Sequence, residues 1–217
     1  MACPTGKVPL GGGVFFSSVS VSAGINSSYP TGTGWAADVN NGSTSASSFF
    51  VYAVCGKQPK KYAVAAGTPS AVAPGTQKAN ITATCPKGKP LSGGLFSDTF
   101  NLLANDNSSF PTTNGWRIDA NNGSTGIDNV RAYVVCGQVI TRHVVVAAAV
   151  SNTAGTQTGS TALCGTGVPV GGGAFSNSGS TAVTMNTSYP VAGGWRAYMN
   201  NGSASTELFN TYVVCSG

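Results

Sequence analysis

Charge is what this sequence has least of. Only 8% of its residues are charged, with eleven Lys and Arg against six Asp and Glu, and His143 is its single histidine. Five aspartates and Glu207 are too few to repeat a Ser/His/Asp or Cys/His arrangement. Asp38 and Asp119 occupy matching places, but the third matching place is Tyr198, so no paired carboxylates for acid–base work are maintained. An enzyme, a metal site and a cofactor are therefore not expected. The +5 net charge is spread thinly apart from Lys57, Lys60 and Lys61, which read as a solvated linker and not a nucleic-acid face. No apolar run is long enough to span a bilayer. Met1-Ala2-Cys3-Pro4 has neither the basic nor the apolar part of an export leader, so the expectation is a chain whose leader has been removed, or a phage or virion component released by lysis.

What is present comes three times. Cys3, Cys85 and Cys164 each open a segment that closes at Cys55, Cys136 and Cys215. Between them stand a Gly-rich step (Gly11-Gly12-Gly13, Ser92-Gly93-Gly94, Gly171-Gly172-Gly173), then Ser28-Tyr29-Pro30, Ser109-Phe110-Pro111 and Ser188-Tyr189-Pro190. Trp35, Trp116 and Trp195 follow, each 20 residues before its closing cysteine, and then an Asn-Asn-Gly-Ser. Such regularity defines a repeat architecture, and the copies serve as an alignment of the chain with itself. Six cysteines with almost no histidine read as disulfides and an oxidising compartment. Symmetry leaves two pairings, within each copy or between one copy's last cysteine and the next one's first. Pairing within each copy is favoured because it staples one folding unit, stabilising it by roughly 4 kcal/mol per loop of about 50 residues.

Two connecting segments also match: Tyr62-Ala63-Val64-Ala65 with His143-Val144-Val145-Val146, and Pro74-Gly75-Thr76-Gln77 with Ala154-Gly155-Thr156-Gln157. Each reads as two short strands leading into a cysteine. The units are then repeat 1 (1–56), which lacks these leading strands, repeat 2 (57–137) and repeat 3 (138–217). Glycine and Asn-Gly punctuation around short runs rich in Val, Thr, Phe and Tyr predicts an all-β chain. Asn41-Gly42, Asn122-Gly123 and Asn201-Gly202 read as hairpin turns with positive φ, and the glycine steps as bulges or close backbone approaches. Three equal copies favour closure of antiparallel sheets with pseudo-threefold symmetry, as in a β-prism; three tandem β modules are the alternative.

The run from Cys to Pro to paired glycines, closing on Tyr133-Val134-Val135-Cys136 and Tyr212-Val213-Val214-Cys215, resembles secreted repeat proteins of actinobacterial type. Cys85-Pro86-Lys87-Gly88 with Gly126-Ile127-Asp128-Asn129-Val130-Arg131 is similar to the repeat of vitelline membrane outer layer protein, over about 50 residues of each copy. The resemblance implies a β-prism of three sheets. It carries no functional residues across, since that family's acidic pair is only Ile127-Asp128 here and has no match in the other copies.

Alternation along the strands separates two faces. Trp35, Ala37 and Val39, with Trp116, Ile118 and Ala120, and Trp195, Ala197 and Met199, face the core. The other side, Asp38, Asn40, Arg117, Asp119, Asn121, Arg196 and Asn200, is expected to meet solvent or a ligand. In the closing strands Tyr52, Tyr133 and Tyr212 point outward. Aromatic faces beside amides and carboxylates suit a saccharide, whose C–H patches stack while its hydroxyls are fixed. Tyr29, Phe110 and Tyr189, each before a proline, are placed at loop tips, either facing a ligand or plugging the core. Asn26-Ser27-Ser28, Asn107-Ser108-Ser109 and Asn186-Thr187-Ser188 match the glycosylation sequon, and in a bacterial protein are turn chemistry. The expected function is a secreted, non-catalytic, lectin-like module binding a glycan or cell-surface polysaccharide multivalently. A structural subunit of a fibre, toxin particle or virion is the alternative, completed by a partner's strand at the N-terminal sheet edge.

Overall fold

In the computed structural model, which describes residues 1–217, the short β-branched and aromatic runs all become strands and no helix forms. Repeat 1 supplies β1 (Val8–Phe16), β2 (Ala23–Pro30), β3 (Trp35–Asn41) and β4 (Phe49–Gly56). Repeat 2 supplies β5 (Lys60–Ala66), β6 (Ser70–Val72), β7 (Thr76–Thr84), β8 (Lys89–Ser97), β9 (Ala104–Pro111), β10 (Gly115–Asn122) and β11 (Asp128–Gln138). Repeat 3 supplies β12 (Arg142–Val146), β13 (Val150–Asn152), β14 (Thr156–Leu163), β15 (Val168–Ser176), β16 (Val183–Val191), β17 (Gly194–Asn201) and β18 (Glu207–Ser216). Each connecting segment holds three strands where the sequence suggests two. The stretch facing β11 is broken at Gly67-Thr68-Pro69, where proline has no N–H for the ladder, and resumes as β6.

The strands make three antiparallel sheets. The first runs β3-β2-β8-β11-β5, with β6 also on β11; the second runs β12-β18-β15-β9-β10-β7, with β13 also on β18; the third runs β14-β17-β16-β1-β4. Each sheet thus combines the middle hairpin of one repeat with the opening and closing strands of another, an exchange that three self-contained tandem modules would not show. Within a sheet the two repeats meet at a single register pair: Ser28 with Leu95, Ser109 with Ala174, and Ser188 with Val14. Hydroxyls reinforce each seam: Ser27 Oγ accepts from Ser97 N, Ser108 Oγ from Ser176 N, and Thr187 Oγ1 from Phe16 N, at 3.0–3.1 Å.

The Asn-Gly steps are not hairpin turns. β3 and β4 belong to different sheets, as do β10 and β11, and β17 and β18, and none of the Asn-Gly residues has positive φ. The crossover is closed instead by the second asparagine's side chain. Asn122 Oδ1 accepts from Ser124 N and Oγ while its Nδ2 donates to Gly126 O, and Asn41 and Asn201 do the same. Positive φ occurs where the connecting segments turn into β7 and β14, at Gly75 (67°) and Gly155 (71°).

The three tryptophans are interior, each no more than 1% exposed. Their indole N–H groups donate to Ser28, Ser109 and Ser188 Oγ, all at 2.9 Å. The serine of Ser-aromatic-Pro and the tryptophan of Gly-Trp are therefore two halves of one bonded pair. The glycine step explains itself here too: a Cβ on Gly12, Gly93 or Gly172 would overlap the indole ring of its own repeat. The disulfides join Cys3 to Cys55, Cys85 to Cys136 and Cys164 to Cys215, one within each copy.

Candidate functional site

Tyr52, Tyr133 and Tyr212 lie opposite Gly13, Gly94 and Gly173 in the ladder, so no side chain separates them from the next strand. Each meets the aromatic that precedes proline, across the repeat seam. Tyr133 lies 5.5 Å from Tyr29, Tyr212 lies 5.3 Å from Phe110, and Tyr52 lies 5.4 Å from Tyr189, between ring centroids. A third ring completes each cluster edge-on: Phe96 on Tyr29, Phe175 on Phe110 and Phe15 on Tyr189, at 5.2–5.4 Å. Two sets of residues read separately from the sequence thus converge on one half-buried aromatic platform per sheet. Tyr29, Phe110 and Tyr189 are strand residues stacked across the sheet; they neither tip a loop nor plug the core. Phe15, Phe96 and Phe175 were missed, although an invariant phenylalanine two residues past the last glycine of every step was available as a signal. Burial raises the phenol pKa of Tyr29, Tyr189 and Tyr212, so they remain hydrogen-bonding hydroxyls at neutral pH.

The polar surroundings differ among the platforms. In the second sheet the Arg117 guanidinium lies over Phe110 and Phe175, at 5.3 and 5.7 Å, and is held by Asp119 at 2.9 Å. In the third, Arg196 lies over Tyr198 at 4.9 Å. In the first sheet Ala36 takes the place of these arginines, and the rings of the trio there stay half-buried like the others. A hollow of about 220 Å³ opens beside them, walled by Phe96, Tyr133, Asp98, Asn129 and Arg131. Asp98 accepts from the backbone and side-chain N–H groups of Asn129 at 2.9 and 3.0 Å, which holds its carboxyl below the usual aspartate range and keeps it ionised.

Asn40, Asn121 and Asn200 do not meet solvent. They are 5% exposed or less and bind the neighbouring repeat: Asn40 Nδ2 donates to Asn101 O and Ala104 O, Asn121 Nδ2 to Thr181 O and Val183 O, and Asn200 Nδ2 to Ser20 O and Ala23 O. The sequon asparagines converge on the same carbonyls, Asn26 on Ala104, Asn107 on Val183 and Asn186 on Ala23. They sit at bulges inside β2, β9 and β16 and are buried, so they are neither turn residues nor accessible acceptors. Alternation does put Asn40, Asn121 and Asn200 on the side away from the tryptophans, but that side is covered by the neighbouring repeat instead of solvent, and the bulge on the partner strand brings the sequon amide to the same carbonyl. Asp119 is likewise buried, accepting from Arg117 and from Asn80 N, whereas Asp38 is exposed. A separate hollow of about 940 Å³ lies where the loops of all three repeats meet, walled in part by Phe100, Leu102 and Leu103; none of the sequence-derived site residues reaches it.

No protein family, curated protein or solved structure matches this chain. The three disulfides fit an oxidising, extracellular environment, and no helix is long and apolar enough to cross a membrane.

Proposed function

We propose that the chain is a secreted, non-catalytic carbohydrate-binding protein, its three sheets forming the faces of a pseudo-threefold prism and each presenting one aromatic platform to a glycan or cell-surface polysaccharide. The observation that carries this reading is the threefold recurrence of the same stacked trio on sheet exteriors, where the half-exposed rings offer apolar faces to the C–H patches of a sugar. The first platform is the best equipped, because Phe96 and Tyr133 share a hollow with an ionised Asp98, the Asn129 amide and the Arg131 guanidinium. Three weak sites on one rigid body would act together on a repeating polymer. On a glycan array or in a polysaccharide pull-down, Tyr133→Ala is expected to weaken binding about tenfold, the cost of losing one stacking face, with the β-sheet circular dichroism spectrum retained and a melting temperature lower by a few degrees from the lost contact with Tyr29. An array without hits for the wild-type protein would remove the proposal.

A second reading, a subunit of an extracellular fibre, toxin particle or virion, draws support from the edges of repeat 1. β4 pairs only with β1, and β3 pairs with β2 and, at Trp35 alone, with Met1, while Ala2 and Cys3 run on beside Gly34 and Thr33.

A further inference from the structure

We infer that a hollow between Lys61, Lys89 and Arg142 is a site for a single oxyanion, the carboxylate, sulfate or phosphate carried by one acidic unit of a polysaccharide. The inference deepens the carbohydrate-binding reading, on which its polymer part rests, by naming the charge of the glycan. The hollow measures about 280 Å³ and lies where repeats 2 and 3 meet, walled also by Gly137 and Gln138. No acidic side chain lines it. Asp98 and Asp128 stand toward the far end of the β8–β11 ladder, roughly 25 Å off at about 3.3 Å per residue. The chain's single ion pair joins Arg117 to Asp119, so none of these three cations has a counter-ion.

Each cation is placed there by a feature of the fold. The ladder of β5 on β11 slips between Cys136 and Gln138, so that Lys61 and Tyr62 together oppose Gly137. At this bulge Lys61 takes a φ of 55°, a left-handed conformation uncommon for lysine, and Tyr62 Oη donates to Pro9 O at 3.0 Å. The bulge thus sets Lys61 on the wall of the hollow, apart from the solvated run it forms with Lys57 and Lys60 in the sequence. Arg142 holds the matching place in repeat 3, where the ladder on β18 is regular, and its Nε donates to Pro90 O of repeat 2 at 2.6 Å. Its Nη2 is buried without a partner, and burial lowers the guanidinium's pKa; both mark a fixed cation short of a counter-charge. Lys89 Nζ donates to Asn114 Oδ1 at 2.9 Å and has further N–H groups to give. Val8 and Val168 stand in place of Lys89 in the other repeats, so the site occurs once per chain. A nucleic acid would call for a stripe of cations following successive phosphates, whereas three gathered in one hollow suit one acid group.

The test measures binding of polygalacturonate, dextran sulfate and uncharged dextran to the full chain, and of sulfate ion alone by its effect on the melting temperature. Both acidic polymers are expected to bind about tenfold or more tighter than dextran, a preference that shrinks as salt rises. Lys61→Gln and Lys89→Gln, both at exposed positions, should each weaken the acidic polymers about fivefold and together about twentyfold. Lys78→Gln, which removes the same charge from β7, should change binding by less than about twofold. Sulfate should raise the melting temperature of the wild type and not that of the double variant. Equal binding of dextran and the acidic polymers, no loss in the double variant, or an equal loss in Lys78→Gln overturns the inference and leaves the aromatic platforms to be judged by Tyr133→Ala. Single-stranded DNA bound as tightly as the acidic polymers assigns the cations to a general polyanion face and overturns it too. Stabilisation by sulfate that depends on Lys61 and Lys89, with no polysaccharide bound, sustains the oxyanion site and removes the carbohydrate reading.

Discussion

Asp106→Asn is expected to raise the unfolding free energy by about 4 kcal/mol at pH 7 and to remove most of its pH dependence. Asp106 is fully buried, one carboxylate oxygen has no hydrogen-bond partner, and the other residues at its place in the repeats are Ile25 and Met185. All three line a void of about 10 Å³ together with the serines that hold the tryptophans. Burial, with the nearby Asp119 charge adding to it, pushes the Asp106 pKa from 3.8 to about 8. At neutral pH the folded chain thus carries a protonated Asp106 while the unfolded chain carries an ionised one. The raised pKa makes stability greatest below pH 3.8 and lets it fall as pH rises, until the folded group also ionises near 8. Over that window the loss is roughly 6 kcal/mol, about 4 of which has accrued by pH 7. Asp128, raised to about 6 chiefly by burial, acts in the same direction over a narrower window. Denaturant titrations from pH 4 to 9 should show wild-type stability declining and the Asn variant keeping only the shallow slope due to Asp128. Wild-type stability that climbs between pH 4 and 8 would refute the assignment.

Trp116→Ala is expected to cost about 4 kcal/mol, the upper range for a large aromatic truncated in a core, because the cavity is walled by ladder backbone that cannot collapse. It also strips Ser109 Oγ of its indole donor. Gly93→Ala should cost about 3 kcal/mol by overpacking, since the added methyl meets both the Trp116 ring and Tyr133 O. The two changes share one volume, so the double variant should be less destabilised than the sum, by at least about 1 kcal/mol. Urea unfolding of the four oxidised proteins measures this coupling. Strict additivity would mean that the glycine step is not there to admit the indole.

The three copies make much of the fold legible within the sequence, and the features that stay hidden share a common cause. Disulfide pairing and inward tryptophans were legible because each depends on spacing within one repeat. Asn40, Asn121 and Asn200 are not solvent-facing as expected, because their partners, such as Ala104 for Asn40, lie in the next repeat, which covers that side of the strand. The Asn-Gly steps were misread as hairpins for a related reason: a local turn signal cannot announce that the following strand leaves for another sheet. The platforms were half visible, with Tyr133 and Tyr29 each picked out but not paired, since only the seam between repeats brings them to 5.5 Å.

By itself, then, the sequence determined the all-β class, the three copies, the cystine within each and the tryptophan core, because period-two patterning and short-range spacing act inside one unit. The tertiary structure decided which strands share a sheet, which amides turn inward and where the rings gather. Those properties arise from contacts between units, and the same local pattern is compatible with more than one way of joining them.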